Sequence, residues 1–358
     1  MVSLYLISAA GLSGMHTVCI GLAMRMREEG LRVGYMKPLG YRYFQQEGKV
    51  TDEDAAFMRR TLELEDDLDD LCPVLLSPEL VRSALKGERE TEALRSRILE
   101  AHGRVSAGRD VVIIQGAFTS VQGRFLDLSA YQIAPLLGAK VLLVERFDDA
   151  LMGDNVMAVR DDFGSGLIGV VFNMVAPNRE SFVRELLAPR LEAEGIAVLG
   201  SLPRDRLLRS INVGDLAQQL GGRVLTGEQG LDELVEDVVV GAMGTEHALS
   251  IFRRHHNFCV VTGGDRSDIQ LAAMEAGARC VVLSGNLYPT SIILSRAEEL
   301  SVPVVLVGED TFTAADRVEA IIRSARTHEP AKLERLRGLI EEHVDLARLY
   351  ELAGIAAG

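Results

Sequence analysis

Short, uninterrupted hydrophobic runs alternate with longer amphipathic stretches over the first part of the chain. These runs are rich in Val, Ile and Leu and lie at 2–8, 33–36, 111–114, 141–144, 167–173 and 197–199. Runs of this kind are typical of strands that are buried on both faces of a parallel sheet. The stretch at 17–29 carries an apolar face at helical spacing. The alternation therefore predicts an α/β domain, 1–205, with a parallel sheet between layers of helices.

A second series of hydrophobic runs predicts a smaller α/β domain at 206–320. The last three of its strands, expected at 258–261, 280–283 and 304–307, are each followed by a polar loop that contains glycine. Loops after parallel strands gather at the carboxyl edge of the sheet, where α/β proteins bind ligands. The remaining residues, 321–358, predict a C-terminal helical tail. The candidate ligand residues of the second domain are Thr262, Gly263, Gly264, Asp265, Arg266, Ser284, Gly285, Asn286 and Thr311.

The composition excludes several classes of function. The net charge is −14, and the chain has no Trp and only 5% aromatic residues, so neither a phosphate backbone nor an unstacked base is an expected partner. The four Cys are widely separated, which favours reduced thiols, and no zinc-ligand spacing is present. Residues 1–24 contain no Asp, Glu, Lys or Arg, but glycines and His16 interrupt the run. We expect a strand and a loop there, not a membrane span, and a cytoplasmic protein.

A glycine-rich loop follows the first hydrophobic run, in the position of a phosphate-binding loop. In such a loop backbone N–H groups cradle phosphates, a Lys reaches them, and a Ser or Thr hydroxyl binds Mg²⁺. Here Met15 stands at the Lys position, His16 at the hydroxyl position, and Thr17 one place later. Met neither donates a hydrogen bond nor carries charge. These residues alone leave two alternatives open, a tight turn and an altered phosphate-binding loop.

The loop and the segments after it resemble a known family. Segments 13–23 and 33–40 look like the dethiobiotin synthetase-like ATPases, and more narrowly like the N-terminal, non-catalytic region of long bacterial phosphotransacetylases. Segments 213–230, 238–243 and 260–269 resemble the DRTGG domain that follows the ATPase-like domain in those proteins. The resemblance covers about residues 1–320 and implies a P-loop-type parallel sheet followed by a DRTGG-like domain. Further matches to the first domain lie at 51–54, 111–116, 170–173 and 199–205.

The resemblance implies a nucleotide site and shows where this chain departs from the family. Met15, His16 and Gln115, which stands where the family has a metal-binding Glu, each remove a charge or ligand on which phosphoryl transfer depends. The implied cofactor is ATP or another nucleotide with Mg²⁺, and a chain without a cofactor is the alternative. The implied contacts are Gly11, Ser13, Gly14, Met15, His16, Thr17, Lys37, Gln115, Gly116 and the adenine-reading Asn173 for the nucleotide, and Asp52 and Asp54 for Mg²⁺, if it is retained.

The retained charged residues allow two interpretations in each domain. Lys37, Asp52 and Asp54 are either a structural ion pair with helix caps or the remnant of a pocket that binds an anion without hydrolysing it. Arg266 and Asp265 either hold a small anionic ligand or order their loop at a dimer contact.

These observations favour a regulatory, ligand-sensing or scaffold protein over an enzyme. The chain ends at Gly358, before the place of the family's acetyl-transferring domain, so that activity is expected on a separate partner chain. The alternatives are a nucleotide-binding switch and an ATP-dependent ligase of the dethiobiotin or cobyrinic acid a,c-diamide synthase type. The expected partners are a small anionic metabolite or nucleotide and, as the resemblance implies, a second copy of the chain. Neither nucleic acid nor a membrane is expected as a partner.

Overall fold

The computed structural model describes residues 1–46, 48–88, 90–148, 151–323 and 329–356 of the chain. The chain divides into two compact units. One unit comprises Met1–Arg204 with His328–Gly358, and the other comprises Asp205–Thr327. Within the described ranges, no helix is both long enough and apolar enough to cross a lipid bilayer.

A parallel sheet forms the centre of the first unit. The strands of this unit are β1 (Val2–Ile7), β2 (Val33–Met36), β3 (Leu39–Gly40), β4 (Tyr43–Gln46), β5 (Lys49–Asp52), β6 (Val74–Leu75), β7 (Val111–Gln115), β8 (Lys140–Arg146), β9 (Leu167–Val175) and β10 (Val198–Pro203). Six of them pair in parallel in the order β10-β9-β8-β1-β7-β2. Every residue of β7 is buried, which explains its continuous hydrophobic run. The predicted α/β class with a parallel sheet is confirmed.

Helices flank this sheet and connect its strands. They are α1 (Met15–Glu28), α2 (Glu53–Thr61), α3 (Leu68–Leu71), α4 (Pro78–Leu85), α5 (Thr91–Ser106), α6 (Ala130–Leu136), α7 (Met152–Phe163), α8 (Glu180–Phe182) and α9 (Ala188–Ala193). A π-helical turn, Val183–Leu187, joins α8 to α9.

The segment between β2 and α4 is less regular than its sequence suggests. Strands β4 and β5 form an antiparallel hairpin, and β3 pairs with β6. The acidic segment 51–70, for which the pattern predicts helix, begins as the last residues of β5. Helix α2 starts only after Asp52, whose carboxylate caps it by accepting a hydrogen bond from the backbone N–H of Asp54.

The second unit has its own sheet of five strands. Its elements are β11 (Ile211–Asn212), α10 (Val213–Leu220), β12 (Arg223–Thr226), β13 (Leu234–Val235), β14 (Asp237–Val240), α11 (Thr245–Phe252), β15 (Phe258–Gly263), α12 (Ser267–Glu275), β16 (Cys280–Ser284), α13 (Ser291–Glu299), β17 (Val304–Leu306) and α14 (Thr311–Arg323). The order is β12-β17-β16-β15-β14, with β12 antiparallel to its neighbour and the others parallel. Hydrophobic clusters cover both faces of this sheet.

The C-terminal residues return to the first unit as helices α15 (Pro330–His343) and α16 (Leu346–Ala353). Helix α15 packs against α1, where a Cβ atom on Gly21 would lie 2.6 Å from Cγ1 of Ile340. The segment 321–358, for which the sequence predicts a helical tail, thus includes two helices that group with the first unit. The physical reason is the apolar face of α15, which includes the buried Leu336 and Leu339 and requires a partner surface.

Candidate functional site

The glycine-rich loop joins β1 to α1 at the carboxyl edge of the first sheet. Gly14 has φ = 75°, a left-handed conformation that glycine adopts without a steric penalty. The side-chain amide of Asn173 donates a hydrogen bond to the carbonyl oxygen of Ser13 at 2.8 Å, and a Cβ atom on Gly14 would lie 2.3 Å from its Nδ2 atom. Asn173 therefore holds the glycine-rich loop in this arrangement. The buried Met15 and then Thr17 follow in the first turn of α1.

Lys37 lies just after β2 and is completely buried. Its ammonium group donates hydrogen bonds to Asp52 at 2.8 Å and to Asp54 at 2.6 Å. Asp52 also accepts hydrogen bonds from the backbone N–H groups of Tyr41 and Arg42, at 2.9 Å and 3.0 Å. The three charged side chains thus form a compact ion cluster that joins β2 to the start of α2.

Gln115 and His16 extend the ion cluster toward the glycine-rich loop. Gln115 donates a hydrogen bond to Asp54 at 2.9 Å and accepts one from the hydroxyl of Tyr35 at 2.8 Å. His16 Nδ1 lies 3.1 Å from Oε1 of Gln115 and 3.6 Å from Oδ1 of Asp54. The residues at two of the altered positions, His16 and Gln115, therefore contact the retained acidic residue directly.

The electrostatics of the cluster keep Lys37 charged. Burial lowers the pKa of Lys37, but the attraction of Asp54 and Asp52 outweighs it, so the pKa lies above its ordinary value. Burial and the carboxylate of Asp54 raise the pKa of Tyr35 as well. The carboxylate oxygens of Asp52 and Asp54 already accept hydrogen bonds from ammonium, amide and backbone donors. The site fits Mg²⁺ poorly, because a lysine cation lies between the two carboxylates that would be its ligands.

Two further glycines of the predicted site allow close packing. A Cβ atom on Gly116 would lie 2.9 Å from the carbonyl oxygen of Leu6, where β7 meets β1. A Cβ atom on Gly11 would lie 2.1 Å from the ring of Phe118. Phe118 in turn contacts the ring of Tyr41, with 6.0 Å between the ring centroids. An aromatic side chain thus packs directly on the glycine-rich loop.

Sequence reasoning missed three members of this site. Tyr41 lies under the ammonium group of Lys37, 4.4 Å from ring centroid to Nζ. Glu145, at the end of β8, is buried and accepts a hydrogen bond from the backbone N–H of Ala9 at 3.4 Å. Tyr35 completes the hydrogen bonds of Gln115. The signal for the two Tyr residues is their position beside Lys37 on and after β2, and the signal for Glu145 is a lone acidic residue in an apolar run.

The loops of the second unit come together at the carboxyl edge of its sheet. The hydroxyl of Ser284 lies 2.7 Å from the hydroxyl of Thr311 and donates to the carbonyl of Thr262 at 3.3 Å. The backbone N–H of Asn286 donates to the carbonyl of Val307 at 2.9 Å. The backbone N–H of Gly285 also donates a hydrogen bond to a carbonyl of the loop that follows β17. The structure therefore brings three of the predicted hydroxyl residues into one hydrogen-bonded group.

Arg266 is bound within its own loop. Its guanidinium group donates to Asp268 at 3.1 Å and 3.2 Å and to the carbonyl of Met243 at 2.9 Å. This interaction lowers the pKa of Asp268 to about 2. The partner is Asp268 and not the neighbouring Asp265. The contacts favour loop ordering over a free cation that awaits an anionic ligand.

Close packing and one buried amide complete the second site. A Cβ atom on Gly264 would lie 1.7 Å from the carbonyl oxygen of Leu287, and one on Gly263 would lie 2.5 Å from Oδ1 of Asp265. Gln270, which sequence reasoning missed, is fully buried and donates to the carbonyl of Gly263 at 2.8 Å. Among the described residues, no group of three or more His, Cys, Asp or Glu side chains could hold a metal ion.

The fold and the glycine-rich loop define a P-loop-type α/β protein that carries a second α/β unit. Residues 3–212 match the AAA domain family AAA_26, and residues 215–321 match the DRTGG domain family. The chain belongs to this AAA domain family, because the match covers more than half of its length. Both parts of the resemblance stated from the sequence, and their order, are confirmed.

Relatives of the whole chain are phosphate acetyltransferases. The chain is 23% identical over 360 residues to the phosphate acetyltransferase of Pseudomonas putida, covering 95% of this chain and 50% of the relative. It is 24% identical over 369 residues to that of Deinococcus radiodurans, covering 98% of this chain and 51% of the relative. The chain therefore spans about half the length of these relatives, consistent with their N-terminal region.

Among solved structures, the chain is similar to the CBS and DRTGG domains of the regulatory region of Clostridium perfringens pyrophosphatase, complexed with the activator diadenosine tetraphosphate. The sequence identity is 20% and the TM-score 0.30, over 34% of this chain and 52% of that one.

Proposed function

We propose that this chain is a regulatory or scaffold module that does not turn over ATP. The observation that carries the proposal is the position of Lys37, buried between Asp52 and Asp54. Phosphoryl transfer depends on cations that are free to stabilise charge on the transferring group. In this site the one retained Lys is neutralised by the two carboxylates that would otherwise bind Mg²⁺.

The altered loop supports the same proposal. Met15 is buried and apolar at the position where a Lys would reach the phosphates, so it offers neither charge nor a hydrogen bond. His16 contacts Gln115 and Asp54 instead of presenting a hydroxyl to a metal ion. His16 and Gln115 are held by specific hydrogen bonds and ionic contacts, and Met15 is held by burial, as expected for a site whose residues stabilise the fold.

The relatives suggest what such a module regulates. Since the chain corresponds to about half of the phosphate acetyltransferases it resembles, we infer that it acts on a separate enzyme chain or on a further segment of a longer protein. The inferred signal is a small anionic metabolite or nucleotide that binds to the second unit. Arg266 is already paired with Asp268. The second unit would therefore bind such a ligand mainly through backbone N–H groups of its loops.

A homodimer is part of the proposal. Exposed apolar side chains lie on α4, at Val81 and Leu85, and on the turn that packs against it, at Phe125. Contiguous exposed apolar patches mark protein contact surfaces, and we infer that these side chains belong to a contact surface between two copies of the chain. In contrast, no observation favours the ligase alternative. Cys259 and Cys280 are buried in adjacent strands, and their mutual hydrogen bond and burial raise the pKa of Cys280.

A thermal-shift screen with and without Mg²⁺ tests the proposal. The ligands are ATP, ADP, AMP, cyclic dinucleotides, NADH, acetyl phosphate and coenzyme A. A ligand at a hundredfold its Kd stabilises the folded state by about 2.7 kcal/mol, which is readily measured. We expect no Mg²⁺-dependent shift with ATP and a Mg²⁺-independent shift with one of the other compounds. A Mg²⁺-dependent shift with ATP would contradict the proposal.

A further inference from the structure

The glycine-rich loop has a strained backbone that its neighbours hold in place. Leu12 has φ = 60° and Gly14 has φ = 75°, so two of its residues are left-handed. For Leu12, which is not glycine, this conformation is unfavourable, and such strain persists only where the surrounding structure enforces it. Strained residues cluster at ligand clamps and switch regions. The side chains that enforce the shape of this loop are therefore of interest in their own right.

Several backbone donors of the loop have no acceptor. The N–H groups of Gly11, Leu12 and Gly14 donate no hydrogen bond to any residue within the described ranges of the chain. Successive backbone N–H groups in turns of this kind form a concave site for an anion. Met15, which stands at the Lys position, leaves these backbone donors unchanged. The loop thus retains N–H groups that an oxyanion could use, although it lacks the charged side chain.

The ring of Phe118 lies against the same loop. A Cβ atom on Gly11 would lie 2.1 Å from both Cε1 and Cζ of Phe118 and 3.0 Å from its Cε2. The tip of the ring therefore touches the backbone of Gly11. The ring gives the N–H groups no conventional acceptor, and an oxyanion cannot share the space that the ring fills. Phe118 thus covers part of the loop.

The segment that follows β7 holds Phe118 over the loop. The backbone N–H of Phe118 donates to Oε1 of Gln122 at 2.8 Å, and the backbone N–H of Ser120 donates to the carbonyl of Ser8 at 2.8 Å. The ring also meets the ring of Tyr41, which in turn lies against the ion cluster. Continuous contacts therefore connect the buried ion cluster with the ring that covers the loop.

The covering ring is free to move, whereas the other support of the loop is fixed. Phe118 is 39% exposed and belongs to a connection, not to a helix or a strand. Exposed side chains change rotamer in picoseconds to nanoseconds, so the ring can leave Gly11 without unpacking the core. Asn173, in contrast, is 8% exposed and bonded to Ser13 at 2.8 Å. The loop can thus be uncovered while its shape is retained.

We propose that Phe118 is an autoinhibitory gate on the glycine-rich loop. In the closed state its ring covers Gly11, as in this structure, and excludes oxyanions. In the open state the free N–H groups of Gly11, Leu12 and Gly14 bind a small polyanion of the diphosphate class without Mg²⁺. The inference rests on the proposed function, because it concerns a loop that takes no part in ATP turnover.

NMR titration of the isotopically labelled full chain with inorganic pyrophosphate tests the gate, at constant ionic strength and without Mg²⁺. The variants are Phe118→Ala, which removes the ring, and Phe118→Leu, which keeps an apolar side chain but lacks the atoms that reach Gly11. We expect saturable shifts of the backbone N–H signals of Gly11, Leu12 and Gly14 in both variants. A gate that leaves about one molecule in ten open raises the apparent Kd about tenfold, so the variants should bind at least about tenfold more tightly than the unmodified chain.

The matched control is Val121→Ala, which removes an exposed apolar side chain from the same connection. It should bind pyrophosphate at the loop as weakly as the unmodified chain. Because Phe118 is partly exposed, both of its variants should keep the fold, and unchanged signals elsewhere in the spectrum verify this. The inference is overturned if neither Phe118 variant gains affinity at the loop. It is also overturned if the unmodified chain binds there as tightly as the variants.

The same titration separates this inference from the proposed function, which assigns an anionic ligand to the second unit. Shifts confined to 262–266 and 284–286 in every variant would contradict the gate and leave the proposed function intact. Turnover of Mg-ATP by the unmodified chain would contradict the proposed function, and the titration with pyrophosphate does not depend on turnover. The two accounts therefore fail on different results.

Discussion

The Nζ atom of Lys37 lies 2.6 Å from Oδ2 of Asp54, and both side chains are buried. This pair joins the end of β2 to the first turn of α2, and Asp52 completes the neutralisation of the ammonium group at 2.8 Å. We infer that residues which nucleotide chemistry would use in a related site have a structural role in this chain. The predictions below follow from that inference and from the packing around it.

Replacing Lys37 by Met should destabilise the first unit strongly. The change leaves Asp52 and Asp54 buried without their cation, and removal of one partner of a buried ion pair costs about 3–5 kcal/mol. Denaturant unfolding measures the loss. The matched control is Lys49→Met, because Lys49 pairs with Asp67 at 2.8 Å on the surface, where solvent screens the pair, and its loss should cost far less than the loss of Lys37. Equal effects of the two substitutions would refute the structural role.

Gly14→Ala should destabilise the glycine-rich loop by about 2 kcal/mol. A left-handed conformation costs a residue other than glycine about 1–2 kcal/mol, and the new Cβ would also displace Asn173 from its hydrogen bond with Ser13. Gly103→Ala on α5 is the control, because a Cβ there meets open space in a helix and should stabilise by up to about 1 kcal/mol. Chemical denaturation of both variants checks the opposite signs.

Gly21→Ala should weaken the packing of α15 on α1. The new Cβ would lie 2.6 Å from Ile340 and 3.1 Å from Leu336, and overpacking of a core costs about 1–3 kcal/mol. Gly338→Ala, on α15 itself, meets nothing within 4 Å and should be neutral or stabilising. Limited proteolysis of the C-terminal helices reports the difference. If cleavage is the same in both variants, α15 does not depend on this contact.

Glu145 should make stability fall as pH rises. Burial raises the pKa of Glu145 in the folded protein above its ordinary value of about 4.3. Its contribution is therefore fully present below that ordinary value and is lost as pH rises through the folded pKa. Glu145→Gln removes this titration, so the melting temperature of the variant should rise relative to that of the parent as the pH increases above about 4. Parallel curves for the two proteins would be inconsistent with a buried, titrating Glu145.

The central strands of the two sheets were predictable, because nearly every residue along them is buried. Strands such as β7 and β15 are buried nearly throughout, so their sequences are continuous hydrophobic runs. The hairpin of β4 and β5 was not predictable, since its short strands carry largely polar residues and a helical signal follows at once. The apolar face of α15 shows that the helix packs, but not against which unit.

Several of the residues that the structure brings together were named from the sequence, but their contact partners were not predictable. Lys37, Asp52 and Gln115 are close in space although up to 78 positions separate them in the chain. Whether such a Lys pairs with carboxylates or is free for a ligand depends on distances that the spacing does not contain. Arg266 shows the same limit at short range, because Asp265 and Asp268 are both near it in sequence and only Asp268 accepts its hydrogen bonds.

The most direct test of the central claim is the rate of phosphate release from Mg-ATP by the purified full chain. The comparison is the double variant Met15→Lys with Gln115→Glu, which restores the charged groups expected at an active site of this class. The account predicts no turnover above background for the unmodified chain, and gain of measurable turnover in the variant would support it further. Turnover by the unmodified chain at ordinary enzyme rates, on the order of 1 s⁻¹ or more, would contradict it.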